Sequence, residues 1–480
     1  MTERVPMLTA TLRCATLVAA LALAGCTTTP TAPPVLEVPA GQPAADNLPL
    51  ERWWTTFGDA TLTGYVDEAL AHNLDLAAAM ARIETARAAV KLAQADLYPS
   101  VNLGVGAART RGTELGTNPL PQGFGATTND FRIGLDASYE VDLWGKYRTA
   151  TQAAREDLLA TRYAREAVQT VVAADVARTY FALLATDAQL ALLTDTSKSR
   201  EETVGLQRDR YQAGVIGEYD LAQAEAERAA VLADIATTRR ARANFESALA
   251  VLLGRSPREV YEPALAHDAT VAKLVAVPGV PEGLPSNVLE RRPDIRQAER
   301  QLAAASLRID RARADYFPSL TLTGSLGHES GALSNLFKGP ALIWGIAGNL
   351  LQPVFGLKAI EANVEASTAR REEVVVAYRQ TVQGAFRDAH DALVATGTTR
   401  DALTAQGERR MRLARALELA DLRYRSGYSP YLEVLDAQRQ LLQAQTEEIL
   451  AARDARIASV DLAKALGGGW DWRNDLAAAP

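Results

Sequence analysis

The residues able to do chemistry in this chain are few, and their spacing excludes most of what they could do. The four histidines, His72, His267, His328 and His390, are scattered and share no metal-ligand spacing. No phosphate-cradling loop and no Gly-x-Ser-x-Gly elbow occurs. No catalytic constellation is expected, and with it no enzyme, no metal and no cofactor. What remains is a pair of matched turns. Tyr211-Gln212-Ala213-Gly214, followed by Asp220-Leu221, returns as Tyr424-Arg425-Ser426-Gly427, followed by Glu433-Val434. In each, a glycine can end a helix and let the chain reverse tightly. Gly214 and Gly427 are the residues that would permit the two reversals.

The turns belong to a larger duplication. The segment Asp75-Leu76 through Asp96-Leu97-Tyr98-Pro99-Ser100-Val101 reappears without a gap as Asp294-Ile295 through Asp315-Tyr316-Phe317-Pro318-Ser319-Leu320, and Leu253-Gly254 is matched by Leu466-Gly467. Each copy is roughly 200 residues, far beyond the roughly 20–50 residues of a solenoid repeat, and reads helix, strand, strand, long helices. Between Gly145 and Gly205 there is neither Gly nor Pro, which favours a helix on the order of 80–90 Å long. Glu218 to Leu253 and Tyr431 to Leu466 are two further breaker-free runs. Leu435, Leu442 and Ile449 recur at seven-residue spacing, a coiled-coil seam. Helices alone leave a soluble bundle and an envelope protein about equally supported.

The strands shift that balance. After Pro99, Val101, Leu103, Val105 and Ala107 alternate with Asn102, Gly104 and Gly106. Phe131, Ile133, Leu135, Ala137, Tyr139 and Val141 alternate with Arg132, Gly134, Asp136, Ser138 and Glu140. In the second copy, Leu320, Leu322 and Leu326 alternate with Thr321, Thr323 and Ser325, and a less regular strand follows around Leu342 to Leu351. An apolar face opposite a charged or tiny one over about ten residues is the pattern of a barrel strand with lipid outside and water inside, although a half-buried soluble hairpin alternates in the same way. Strands are expected at about 100–110, 130–142, 319–327 and 341–352, with exposed Gly-, Thr-, Asn- and Pro-rich loops between them. Four strands cannot close a barrel, and open edges are not tolerated in lipid, so a membrane reading requires an oligomer.

Composition agrees with a folded chain: 480 residues, 48% hydrophobic, 23% charged, formal net charge −7. Mild acidity with interleaved charges gives no case for nucleic acid. No window reaches about 18 apolar residues, so no transmembrane helix is expected. Residues 1–25 read as an export signal, with Arg4 and Arg13 before a short apolar core that ends in Leu23-Ala24-Gly25-Cys26. That ending resembles a bacterial lipoprotein signal, which makes Cys26 the expected acylated N-terminus. If Cys14 leaves with the signal, no thiol remains for a disulfide. Residues 26–50 then form a lipidated Pro- and Thr-rich tether.

Taken with particular motifs, the chain resembles the TolC-like outer-membrane efflux channel family, in its NodT-type lipoprotein branch. The motifs are Trp53-Trp54-Thr55-Thr56-Phe57-Gly58-Asp59, Asn73-Leu74-Asp75-Leu76, the paired Tyr98-Pro99-Ser100 and Phe317-Pro318-Ser319, Glu140-Val141-Asp142-Leu143-Trp144-Gly145, Arg291-Arg292-Pro293-Asp294-Ile295, and Gly427-Tyr428-Ser429-Pro430-Tyr431-Leu432-Glu433-Val434-Leu435-Asp436-Ala437-Gln438. The resemblance covers essentially all of the mature chain. It implies an α+β membrane protein built from a duplicated module. Three chains, each giving four strands, would form a twelve-stranded β-barrel continued by a periplasmic α-helical barrel with an equatorial domain. It divides the chain into repeat 1 (51–255), an equatorial linker (256–290), repeat 2 (291–467) and a tail (468–480). It implies a passive duct for drugs or other small solutes in the outer membrane, working with a periplasmic adaptor and an inner-membrane transporter.

By the same resemblance the two turns are periplasmic tips that meet the adaptor, with Gly214, Val215, Gly217 and Asp220 in the first and Gly427, Tyr428, Ser429 and Tyr431 in the second as the implied contact residues. Glu433 and Asp436 fall where the family places an acidic ring at the aperture, which in three copies would favour cations. The first acid is Glu rather than the usual Asp, and Pro430 replaces a polar or basic residue, so a closing salt bridge would be arranged differently. Arg423, Tyr424 and Arg425 are candidate partners for the acids across subunits. Two other readings stand beside the duct: a periplasmic adaptor, which has a single helical hairpin, and a structural envelope lipoprotein, which leaves Asp136 and Glu140 on a polar strand face unexplained.

Overall fold

A computed structural model describes residues 51–113, 126–263, 265 and 291–470. The signal, Cys26, the tether, most of the inter-repeat linker and residues 471–480 lie outside the described residues. The order is a short 3-10 turn at Trp53–Phe57, then α1 Ala60–His72, α2 Leu74–Ala95, β1 Ser100–Arg111, β2 Thr127–Val141, α3 Lys146–Gln212, α4 Glu218–Leu252 and α5 Pro257–Tyr261. The second copy follows with α6 Pro293–Ala314, β3 Ser319–Ser330, β4 Leu342–Leu351, α7 Lys358–Arg425 and α8 Tyr431–Ala465. Corresponding helices match in length: 22 residues in α2 and α6, 67 and 68 in α3 and α7, 35 in α4 and α8.

Helix α3 continues through Gly205 to Gln212, and α7 contains Gly384, Gly397 and Gly407. A glycine costs about 1 kcal/mol in a helix interior, too little to stop a helix of this length, so α3 extends roughly 100 Å. β1, β2 and β3 are each longer than alternation alone suggested, because the ladder continues through Arg109, Thr110, Asn129 and Thr128 and through Glu329 and Ser330.

The chain divides into two compact units. One comprises, among the described residues, 88–113, 126–157 and 301–376. It holds a single antiparallel sheet in the order β1-β2-β3-β4, whose central pair joins the two copies of the repeat. The motif Glu140 to Gly145 organises its base. Asp142 accepts from the backbone N–H groups of Tyr147 (3.3 Å) and Arg148 (2.9 Å) at the start of α3, where a carboxylate is favoured by the helix dipole. The Trp144 indole donates to the Pro318 carbonyl at 2.8 Å and stacks on Phe317 at 4.8 Å. Helices α2 and α6 end four residues before their strands, with Pro99 and Pro318 at the switch.

The other unit comprises, among the described residues, 51–87, 158–263, 265, 291–300 and 377–470. Its main core gathers Trp53, Trp54, Phe57 and Leu62 against Val172 to Leu184 of α3, with Leu249, Leu253 and Val460. Helix α3 contains one window long and apolar enough by composition to span a bilayer, and 56% of that window is buried inside the protein, as in the core helix of a folded unit. The repeated Leu-Gly pairs form a joint that occurs twice. Gly254 and Gly467 have φ of 71° and 77°. Each backs onto the start of a 22-residue helix, where Asn73 donates to the Leu252 carbonyl (2.9 Å) and Arg292 to the Ala465 carbonyl (3.1 Å). Arg292 also reaches Asp294 at 2.7 Å and Asp388 at 3.4 Å.

Candidate functional site

The register of the sheet separates two chemistries. Leu103, Leu135, Leu326 and Trp344 stand in one cross-strand row, and Val101, Ala137, Gly324 and Ile346 in another. Leu103 is 67% exposed, Trp344 73% and Ile346 83%. Such a contiguous apolar band is stable only against lipid or a partner. The alternate rows are polar: Asn102, Asp136, Ser325 and Gly345 in one, and Glu140, Thr321 and Asn349 in another. Arg132 pairs with Asp136 at 3.4 Å on this second face. At its base Glu140 accepts from the Tyr147 hydroxyl at 2.8 Å, and Lys146 lies 3.7 Å from Glu140 and 3.1 Å from Asp315. Burial, with Glu140 accepting its hydrogen bond, pushes the Tyr147 phenol up to about 12.

The matched turns are nearly superimposable in their hydrogen bonding. At the first, Val215 N–H donates to Arg210 and Gly214 N–H to Tyr211, both at 2.9 Å. At the second, Tyr428 N–H donates to Arg423 (2.9 Å) and Gly427 N–H to Tyr424 (3.0 Å). This double bond is a Schellman closure and requires a left-handed residue, which Gly214 (φ 71°) and Gly427 (φ 76°) supply. Gly217 and Pro430 then cap α4 and α8 without a side-chain bond. Asp220 and Glu433 each occupy the third helical position, where negative charge complements the helix dipole.

The sequence-predicted residues sort into exposed and interior groups. Gly214, Val215, Gly217, Gly427, Tyr428, Glu433 and Asp436 are exposed, and Asp220 and Ser429 half-buried. Tyr431 is not on the turn surface. It is buried with Val434 and Leu435 against Leu417, Ala420 and Tyr424, and its phenol, next to Gln207, is raised by burial. Within this one chain Arg423 lies 3.4 Å from Glu433, and Arg425 pairs with Asp421 at 2.8 Å. Tyr424 accepts from Arg210, whose guanidinium lies 5.4 Å from its ring centroid. Asp436 accepts from Gln440 at 2.6 Å.

Sequence reasoning missed a buried ionic group behind the turn. Arg200, whose side chain is 5% exposed, donates to Gln438 and lies 3.8 Å from Glu227, and Arg439 Nε donates to Glu227 at 2.7 Å. Its only sequence signal is charge within breaker-free runs, which spacing alone does not distinguish from a solvated face. Coiled-coil spacing did locate the seam: Leu435 is fully buried, and Leu442 packs on Leu193, Val231 and Ile235.

A sheet with one lipid-type and one water-type face, carried on very long helices that reverse at paired turns, defines an envelope protein embedded through its strands. The family described as outer membrane efflux protein matches residues 65–255 and 284–468, and the chain belongs to that family of outer-membrane proteins. It is 33% identical to the cation efflux system protein CusC of Escherichia coli O6:H1 over 94% of this chain and 97% of that protein. It is 35% identical to the solvent efflux pump outer membrane protein SrpC of Pseudomonas putida over 86% of each. The solved structure of the Campylobacter jejuni CmeC outer membrane channel superimposes with a TM-score of 0.85 at 28% identity, covering 93% of this chain and 97% of that one.

Proposed function

We propose that this chain is one of three identical subunits of a passive duct through the outer membrane, the exit component of a tripartite efflux system. The observation that carries the reading is the register of the sheet, which places Leu103, Leu135, Leu326 and Trp344 on one face and Asn102, Asp136 and Ser325 on the other. Four strands leave two open edges, and three copies provide twelve strands, enough to close a barrel around the polar face. In this reading the turns at 214–220 and 427–433 receive a periplasmic adaptor, which links the duct to an inner-membrane transporter. Glu433 and Asp436 form the aperture, and Cys26 carries the lipid anchor. Similarity to proteins named for cation and for solvent efflux supports export of small solutes without selecting one class.

The test is single-channel conductance of the purified oligomer in a planar bilayer, wild type beside Glu433→Ala/Asp436→Ala. A small cation-selective conductance that rises in the variant supports the duct and its gate. Absence of conductance from intact oligomer in both forms overturns the reading in favour of a non-conducting envelope lipoprotein.

A further inference from the structure

One cavity of the sheet-bearing unit is used by none of the roles above. It occupies about 480 Å³ between the start of α3, the end of α6 and the start of α7; its walls are mostly apolar, from alanines of α3 and α6 and Val374, and its polar groups are Arg308, Arg311, Arg370, Asp157, Asn363 and Ser367. Three cations face a single carboxylate. Asp157 is held by Arg308 and, by burial, titrates above the usual carboxylate range. Among the described residues neither Arg311 nor Arg370 has a carboxylate within ion-pair distance. The lining therefore carries an excess of two positive charges, with Ser367 only 8% exposed beside them.

The side of the sheet on which this cavity opens follows from helical spacing. Glu140 lies on the polar strand face and contacts Lys146 and Tyr147, and Lys146 contacts Asp315. Arg308 and Arg311 share one side of α6, and Asp315, the first residue beyond its end, follows Arg311 by four. Asp157 follows Lys146 by eleven, three turns along the same side. Arg311 is close enough to Tyr147 to act on its phenol. The cavity thus continues the polar face of the sheet rather than the apolar one.

We infer that Arg308, Arg311 and Arg370 form a binding pocket for a phosphate- or carboxylate-bearing solute on the water side of this unit. Guanidinium groups offer paired donors that match a planar or tetrahedral oxyanion, and the Arg308–Asp157 pair holds one of them in place. The water-side placement rests on the duct reading, in which three copies make a cationic collar next to the barrel, opposite in sign to the acids of the turns.

The experiment is isothermal titration of inorganic pyrophosphate into purified full-length oligomer at low salt. Wild type is expected to bind saturably. R311Q/R370Q is expected to bind roughly tenfold more weakly or worse, as loss of charge-assisted hydrogen bonds requires. R311K/R370K should recover part of the affinity, and R412Q, an exposed cation remote in the chain, should leave it unchanged. Size-exclusion chromatography establishes that each variant stays oligomeric. No binding by wild type, or equal binding by intact R311Q/R370Q, overturns the pocket. Planar-bilayer conductance separates the two readings: binding without conductance removes the duct and leaves the pocket, and conductance without binding does the reverse.

Discussion

Gly254 and Gly214 share a φ of 71° but differ in surroundings. A Cβ on Gly254 would lie 2.1 Å from the His72 carbonyl oxygen, whereas at Gly214 nothing lies within 4 Å. Gly214→Ala should cost only the left-handed strain, about 1–2 kcal/mol. Gly254→Ala must also move backbone, and should cost more than about 3 kcal/mol. Thermal loss of helical circular dichroism measures both, and equal shifts would contradict the joint. Glu433 offers a second contrast. Its pair with Arg423 is exposed on both sides and is worth at most about 1 kcal/mol. Glu433→Ala should therefore leave the melting temperature nearly unchanged while raising conductance. A large loss of stability with unaltered conductance would make Glu433 a helix-end residue and nothing more.

Elements explain what single residues cannot. A cation on the apolar sheet row faces lipid, at a cost of about 2–4 kcal/mol near mid-membrane. Leu135→Lys should thus reduce the heat-modifiable oligomer recovered from outer-membrane fractions. Ser325→Lys, on the opposite face, should be recovered normally. If both assemble equally well, the apolar face is not against lipid. The joint of α6 with α8 depends on Arg292, which is buried yet bonded to two partly exposed aspartates and a carbonyl. Removal leaves carboxylates that water can still reach, so Arg292→Ala should cost about 1–3 kcal/mol, less than a fully buried pair. Chemical denaturation would check it, a negligible change refuting the joint.

At the scale of the whole molecule, the lipid and the oligomer are separable. Metabolic labelling with a radioactive fatty acid should mark the wild-type chain and not Cys26→Ser. The unlabelled variant should still form the oligomer, because closure of the barrel depends on strand pairing. Label retained on Cys26→Ser would place the acyl chain elsewhere, and an unlabelled wild type would remove it. Mass measurement of the detergent-solubilised particle checks the subunit number directly, three being expected from four strands per chain and a twelve-stranded closure.

The division of labour between sequence and tertiary structure follows the range of the interactions. Alternation over Val101 to Ala107 and Phe131 to Val141, glycine at the ends of helices and the duplication itself are local patterns. Backbone period and left-handed φ express them without reference to distant residues, so strands, turns and module order were legible. Pairing across the molecule was not. The row Leu135 to Leu326, the stacking of Trp144 on Phe317, the burial of Tyr431 and the approach of Arg370 to the Arg308 and Arg311 side of α6 each join residues whose spacing carries no mutual signal. Even the helix ends obey this rule, since α3 passes Gly205 with a small local penalty set against the cooperative continuation of a very long helix. Short-range propensity determined which elements this chain can form. Only long-range packing decided which faces meet, because burial and ion pairing depend on positions in space that the order of residues does not state.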